Sequence, residues 1–186
     1  NSGRICAFTD KGNLHTIKVA DLPFGKFRDK GIPIDNVSGY NSSEENIVYV
    51  TSQTECNLYR MIFVTKQANM KIVDGGEFDV AKRVVAATKL VDEDEVVNVC
   101  AFKEQKHLVL RTKEGFFLKM AMEEIPQKKK TAVGVRGMKL SAGDYIEEVY
   151  YLSGTEETEI DYAERKVNLS KMKTGKRDGK GTKIRK

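Results

Sequence analysis

One strand-like sequence recurs three times along this chain and constrains its fold more than any other feature. The copies are residues 5–12, 61–68 and 108–115, each an apolar run followed by a threonine and a short polar turn. Three landmarks keep one order through the chain: a threonine (Thr9, Thr65, Thr112), an aliphatic residue (Val37, Leu90, Leu140) and an acid before apolar residues (Glu45, Asp94, Asp144). Their steps lie between 47 and 56 residues. A period near fifty indicates a propeller-like or arrayed architecture.

Each period contains several short strand patterns separated by turn signals. In the first, the turn ends at Gly12, which can adopt the left-handed conformation that a bulged hairpin needs. About four strands per period predict an all-β fold of about four four-stranded antiparallel blades. We expect a single domain over residues 1–186, with repeat units at about 4–50, 51–99, 100–151 and a partial unit at 152–186.

The second unit departs from the pattern at two places. Ala68 stands where the other copies have glycine, and alanine resists positive φ, so the sequence predicts a different hairpin loop there. Residues 51–54 are predicted to form an extra polar loop, which would account for the longer step to Thr65.

Positive charge is concentrated at one end of the chain. The formal net charge is +5, but residues 165–186 alone carry +9 and residues 1–164 carry −4. A local basic cluster on a weakly acidic body favours a polyanionic partner. The alternative is a solvated, partly disordered tail, which charge runs often form.

Several classes of function find no support in the sequence. No apolar run approaches eighteen residues, so no membrane span is expected. The three cysteines form no C-x-x-C pair, and buried reduced thiols are the default for Cys6 and Cys100. His15 and His107 have no metal-ligand partners at the usual spacing, which indicates structural or surface roles. We find no catalytic constellation, and residues 175–182 miss the Walker spacing.

Basic residues follow the return strand in every unit. The predicted DNA-binding residues are Lys26, Arg28, Lys30, Lys82, Arg83, Lys128, Lys129, Lys130, Arg136, Lys139, Lys176, Arg177, Lys180, Lys183 and Arg185. If the units are equivalent, these loops lie on one rim, and a curved positive rim attracts duplex DNA whatever its sequence. Nearby glycines, such as Gly134 and Gly179, allow the backbone to approach phosphates.

Other functions stay open at this point. The lysines could be solvated charges that protect strand edges. The chain could also be a propeller-like protein-interaction module with a basic tail. RNA binding is the weakest alternative, because the basic loops are expected to lack interleaved aromatic side chains for base stacking.

The repeats resemble a known family, the C-terminal domain of the A subunit of bacterial type IIA topoisomerases (DNA gyrase and topoisomerase IV). The resemblance spans essentially the whole chain. It is carried by the Thr-x-x-Gly turns in residues 8–12 and 111–115, by a Leu/Ile-Pro pair after the return strand, and most specifically by residues 133–140. It implies a β-pinwheel, a propeller-like ring whose blades exchange strands, with DNA wrapped around the rim.

Gyrases of this family carry a signature of the form Gln-Arg-Arg-Gly-Gly-Lys-Gly. The nearest match is a degenerate box: Gly175, Lys176, Arg177, Asp178, Gly179, Lys180 and Gly181. It replaces the glutamine, one arginine and one glycine, and it lies late in the chain, whereas the signature belongs to the first blade. The pattern is therefore more similar to topoisomerase IV.

The resemblance also implies the setting of the domain. We expect a non-catalytic domain without metal or other cofactor of its own, with ATP and Mg²⁺ needed only by the whole enzyme. Its partners would be double-stranded DNA, the remainder of the A subunit and the B subunit, without membrane contact. The isolated domain is expected to be monomeric, cytoplasmic, bacterial and nucleoid-associated.

Overall fold

The computed structural model describes residues 3–185, which form three four-stranded antiparallel sheets and one two-stranded hairpin. The strands are β1 (Arg4–Thr9), β2 (Asn13–Lys18), β3 (Ile47–Ser52), β4 (Arg60–Thr65), β5 (Asn69–Asp74), β6 (Val84–Ala86), β7 (Val96–Phe102), β8 (His107–Thr112), β9 (Phe116–Ala121), β10 (Val135–Arg136), β11 (Ile146–Leu152), β12 (Glu159–Tyr162), β13 (Arg165–Asn168) and β14 (Thr182–Lys183). One α-helix, α1 (Gln53–Leu58), and four single turns of 3-10 helix connect the strands in this part of the chain. The all-β prediction is confirmed.

Each four-stranded sheet borrows one edge strand from the following repeat unit. The strand orders are β3-β1-β2-β6, β10-β5-β4-β7 and β11-β8-β9-β14. In every sheet the borrowed strand pairs with the return strand of the hairpin. We call residues 23–33, 79–86, 126–136 and 173–183 the first to fourth exchange segments. Each of the last three links its own unit to the blade before it.

The threonine and the acid of each repeat hold the hairpin turn together. Thr9 Oγ1 accepts a hydrogen bond from Asn13 N and donates one to Glu45. Thr65 and Thr112 accept the same backbone bond from the residue four positions on. Asp94 and Asp144 each accept from a backbone N–H of the turn. Two of the three sequence landmarks are therefore parts of one polar clamp, which explains why they recur at a fixed spacing.

The hairpin of the second unit has the same turn as the others, so the prediction of a different loop is wrong. Ala68 adopts φ +63°, close to the values at Gly12 and Gly115. Its N–H donates to Thr65 O at 3.0 Å, as Gly12 N donates to Thr9 O. Left-handed backbone costs a non-glycine residue about 1–2 kcal/mol. The clamp around Thr65 and Asp94 supplies hydrogen bonds that hold alanine there.

The predicted extra loop at residues 51–54 is also wrong, because α1 begins at Gln53. Ser52 caps this helix by accepting a hydrogen bond from Glu55 N at 3.1 Å. Serine followed three residues later by glutamate is a recognised start signal for a helix. Two turns are too short for an amphipathic period to be visible in the sequence.

The apolar core lies between successive blades rather than inside any one of them. One cluster joins the first two sheets through Phe8, Phe63 and Phe78, with ring centroids 5.2–5.9 Å apart. A second joins the second and third sheets, and a third packs the β12–β13 hairpin on the third sheet. Because each sheet is covered by its neighbours, a single unit cannot bury its apolar residues alone.

Candidate nucleic-acid interface

The second exchange segment is fixed by hydrogen bonds from Thr16 of β2 to its backbone oxygens. Thr16 N donates to Arg83 O at 2.8 Å, and Thr16 Oγ1 donates to Lys82 O at 3.0 Å. The side chains of Lys82 and Arg83 are exposed, and one nitrogen of Arg83 lies 3.7 Å from Asp21 Oδ2. The main chain is therefore docked while its positive charges face solvent.

The third exchange segment lies along β5 in the same way. Ile72 N donates to Pro126 O at 3.0 Å, and Lys128 N donates to Ile72 O at 2.8 Å. Lys128 and Lys129 are exposed, and Lys129 Nζ lies 3.6 Å from Glu77 Oε1. Lys130 differs, because its Nζ donates to Glu77 O at 2.8 Å and its side chain is partly buried. It fixes the segment rather than presenting a free charge.

A buried lysine outside the predicted set of basic residues secures this segment from beneath. Lys71, on β5, is fully buried, and its Nζ donates to the backbone oxygens of Lys129, Lys130 and Ala132 at 2.5–3.0 Å. Burial lowers the pKa of Lys71 to about 8, against a usual value of 10.5. Its signal in the sequence is a lysine at the centre of a strand whose neighbours are apolar.

The degenerate box lies in the fourth exchange segment and is joined to the end of the third. Asp178 N donates to Gly137 O at 2.7 Å, and Lys139 N donates to Gly179 O at 3.0 Å. Arg136 forms two bonds to the Asp178 carboxylate, from Nε to Oδ1 at 2.5 Å and from Nη2 to Oδ2 at 2.8 Å. The box and residues 136–139 therefore form one structural unit.

Two lysines of the fourth segment lie close to one aromatic ring. Lys180 Nζ and Lys183 Nζ lie 5.3 and 5.2 Å from the centroid of Phe116. Gly181 permits this arrangement: its φ is +77°, and a Cβ there would lie 2.5 Å from Phe117 O. Arg185 follows with an exposed side chain. Lys186, which contributes to the charge of the basic end, lies outside the described residues.

The first exchange segment is not docked on any blade in residues 3–185. Every one of its residues is exposed, including Lys26, Arg28 and Lys30. Its internal bonds close one small turn between Lys26 and Asp29. Phe24 and Phe27 are fully exposed between these charges. The expectation that the basic loops lack interleaved aromatic side chains is therefore wrong for this segment.

The predicted basic residues thus fall into two groups. Lys82, Arg83, Lys128, Lys129, Lys130, Arg136, Lys139, Lys176, Arg177, Lys180, Lys183 and Arg185 lie on or beside exchange segments docked on successive blades. Lys26, Arg28 and Lys30 project from the undocked segment. Around the degenerate box, predicted residues from two different segments come together.

The structure also shows the roles of the residues that were considered for metal binding or catalysis. His15 is buried with Nε2 2.5 Å from Glu45 Oε1, inside the first turn clamp, so its predicted structural role is confirmed. Residues 3–185 contain no group of three histidine, cysteine or acidic side chains able to hold a metal ion. Within the same residues, no helix is long and apolar enough to cross a membrane.

Comparison with known proteins shows which sequences and structures this chain is similar to. A family model described as DNA gyrase C-terminal domain, beta-propeller, matches residues 60–99 and 106–150, which are parts of the second and third repeats. The DNA gyrase A subunit of Rickettsia conorii (strain ATCC VR-613 / Malish 7) is 29% identical over 159 residues, covering 83% of the chain. The corresponding gyrase protein of Lawsonia intracellularis (strain PHE/MN1-00) is 26% identical over 183 residues, covering 94%. The chain spans 18% and 22% of the length of these two relatives.

Solved structures show the same architecture. The C-terminal domain of a DNA topoisomerase IV superposes with a TM-score of 0.89 at 25% identity, covering 98% of this chain and 58% of that one. The E. coli ParC C-terminal domain gives a TM-score of 0.80 at 16% identity, covering 98% of this chain and 77% of that one. The architecture of this chain is therefore the β-pinwheel. The resemblance to the C-terminal domains of bacterial type IIA topoisomerase A subunits is confirmed.

Proposed function

We propose that this chain is a non-catalytic domain that binds duplex DNA and wraps it around its rim. One observation carries the proposal: successive blades present basic side chains from the same structural element, the docked exchange segment. Lys82, Lys129 and Lys176 represent the three docked segments, and all are exposed. Phosphates recur along a duplex at regular intervals, so cations repeated once per blade can follow a bent duplex without reading its sequence.

The proposal includes the larger enzyme in which this domain would work. The domain would be part of a bacterial type IIA topoisomerase A subunit, acting with the rest of that subunit and the B subunit. It would need no cofactor, and ATP and Mg²⁺ would serve the remainder of the enzyme. We further propose that the isolated domain is a monomer and that the enzyme works in the cytoplasm on nucleoid DNA.

Binding to a duplex of random sequence, measured against salt concentration, tests the proposal. With roughly 6–10 phosphate contacts, affinity should fall about 10³–10⁵-fold between 50 and 200 mM salt. Charge reversal of Lys82, Lys129 and Lys176 together should weaken binding strongly. Reversal of Lys18, Lys89 and Lys106, exposed lysines outside the exchange segments, provides the matched control. Salt-independent binding, or equal losses in the two triple variants, would contradict the proposal.

A protein-interaction module makes the opposite prediction, since it should give no mobility shift with DNA even at low salt. Wrapping is tested separately from binding by ligating nicked circular DNA in the presence of the domain and reading the change in linking number. A clear positive shift would indicate strong gyrase-type wrapping. Binding without a shift would indicate the weaker engagement expected of topoisomerase IV.

A further inference from the structure

The ion pair between Arg136 and Asp178 uses the same atoms with which an arginine binds phosphate. Its two parallel bonds, at 2.5 and 2.8 Å, occupy the Nε and Nη2 edge of the guanidinium. That fork geometry matches carboxylate and phosphate oxygens equally well. While the pair is closed, this edge of Arg136 cannot engage a DNA phosphate.

Backbone contacts hold the two side chains opposite each other. Asp178 N donates to Gly137 O at 2.7 Å, directly beside Arg136. Arg177 Nη1 donates to Arg136 O at 3.0 Å. The pair is nevertheless accessible, with Arg136 60% and Asp178 39% exposed as side chains. A phosphate arriving from solvent could therefore replace the carboxylate.

Asp178 occupies its position at some cost to the backbone. Its φ is +66°, in the left-handed region, where glycine fits without strain and asparagine is tolerated as aspartate is. Within the described residues, its carboxylate makes hydrogen bonds to Arg136 alone and caps no turn. The local fold therefore gives no separate reason for a carboxylate at this point.

Several cations lie around the Asp178 carboxylate. The hydrogen bonds from Arg136, together with the charges of Arg177 and Lys139, keep the pKa of the Asp178 carboxyl below its usual value. Asp178 is also the single acid in residues 165–186. The carboxylate is thus ionised at neutral pH and sits where several cations converge.

We propose that Asp178 is an internal competitor of DNA phosphate for Arg136, and so sets the affinity of this point on the rim. Binding a phosphate here exchanges one anion for another on the same guanidinium edge. Arg136 consequently contributes less to DNA binding than its exposure suggests. This inference rests on the proposed DNA-binding function.

The substitution Asp178→Asn tests the competition, because it keeps the shape and the positive φ but removes the charge. Affinity for a random duplex of about 40 base pairs, measured by fluorescence anisotropy from 50 to 200 mM salt, should rise roughly 3–10-fold. The dependence of log affinity on log salt should steepen by about one unit, since one more counterion is released. Asp178→Gly should behave similarly, and thermal melts should show that both variants fold.

Two controls separate competition from a general charge effect. Asp161→Asn makes the same chemical change at an exposed acid on β12 and should raise affinity much less. In an Arg136→Gln background, Asp178→Asn should have no more effect than Asp161→Asn, because the contested group is gone.

The outcomes distinguish this inference from the function on which it rests. If the wild-type chain does not bind duplex DNA, both fail. If the wild type binds with a steep salt dependence but Asp178→Asn matches Asp161→Asn, only the competition is overturned. Weaker binding by folded Asp178→Asn would also overturn it, since Asp178 would then orient Arg136 for phosphate rather than compete.

Discussion

The first and third exchange segments have similar sequences and opposite structures. Both begin at a proline that follows an aliphatic residue, and both continue into three basic residues. The third is bonded to β5 through Ile72 and is secured by Lys71 beneath it. The first is exposed at every residue and closes only its own small turn.

The difference follows from what each segment has beside it. An exchange segment satisfies its backbone groups on the return strand of the preceding blade, as β10 does on β5. Within the described residues, the first segment pairs with no return strand. Whether an exchange segment is docked therefore depends on the unit beside it and not on the segment's own sequence.

Proteolysis should give the largest difference between the two segments. Trypsin can cut after Lys26, Arg28 and Lys30 without unfolding the body, whereas cutting at residues 128–130 requires the third segment to leave β5. We expect cleavage of the first segment to be roughly 100-fold faster or more, since an opening energy of about 3 kcal/mol lowers the susceptible population by that factor. Mass spectrometry of timed digests measures both rates, and comparable rates would contradict the comparison.

Glycine-to-alanine substitution should separate the segments thermodynamically. A Cβ at Gly134, where φ is +109°, would lie 2.7 Å from Met70 O, whereas a Cβ at Gly31 meets nothing within 4 Å. Gly134→Ala should therefore lower the free energy of unfolding by about 3 kcal/mol or more, and Gly31→Ala should change it by less than about 0.5 kcal/mol. Urea unfolding measures both. Equal effects would mean that the third segment is not docked as described.

Lys71, buried beneath the third exchange segment, should make the stability of the folded chain depend on pH. Burial lowers its pKa to about 8 in the folded chain, so the folded state releases this proton before the unfolded state, with its usual value of 10.5. The contribution of Lys71 to stability should therefore be smallest below pH 8 and increase between pH 8 and 10.5, by at most about 3 kcal/mol.

The substitution Lys71→Met isolates this effect. The difference in unfolding free energy between wild type and variant should increase with pH in that window, because the other titrating groups cancel. A difference independent of pH would show that Lys71 keeps its usual pKa and is not desolvated by the third segment.

Removing positive charges should give the smallest difference between the first and third exchange segments. Replacing Lys128 and Lys129 by glutamine should weaken duplex binding about 10-fold, and replacing Lys26 and Lys30 should weaken it only about 2–3-fold. Both pairs remove two charges, but ordering a free loop on DNA costs roughly 1–2 kcal/mol per residue fixed, which offsets part of each contact. Anisotropy titrations at one salt concentration provide the comparison, and equal losses would show that the first segment is already ordered.

Some features could be predicted from the sequence because their causes are local and repeated. The spacing of Thr9, Thr65 and Thr112 marks a clamp that each unit builds from its own residues, so it is visible without a structure. The positions of the basic segments can also be predicted from the sequence. The two-turn helix α1 was missed because a Ser-x-x-Glu signal is weak without a following apolar period.

Other features depend on contacts between units, which spacing does not reveal. Ala68 was misassigned because the bonds that hold its turn in the left-handed region include Asp94, about 25 residues away. Spacing also does not reveal that Lys130, a predicted DNA-binding residue, is hydrogen-bonded to Glu77, 53 positions earlier. The Arg136–Asp178 pair joins residues 42 positions apart.

The strand content, the period near fifty residues and the position of the positive charge in each period can be predicted from the amino-acid sequence. The reason is that strand pairing in hairpins and turn chemistry act over short distances. Tertiary structure decided which of these charges are presented, which are clamped or neutralised, and which segment is left undocked. The physical reason is that an exchange segment finds its hydrogen-bond partners, its supporting lysine and its competing carboxylate in neighbouring units. Their proximity follows from blade packing and not from any one repeat.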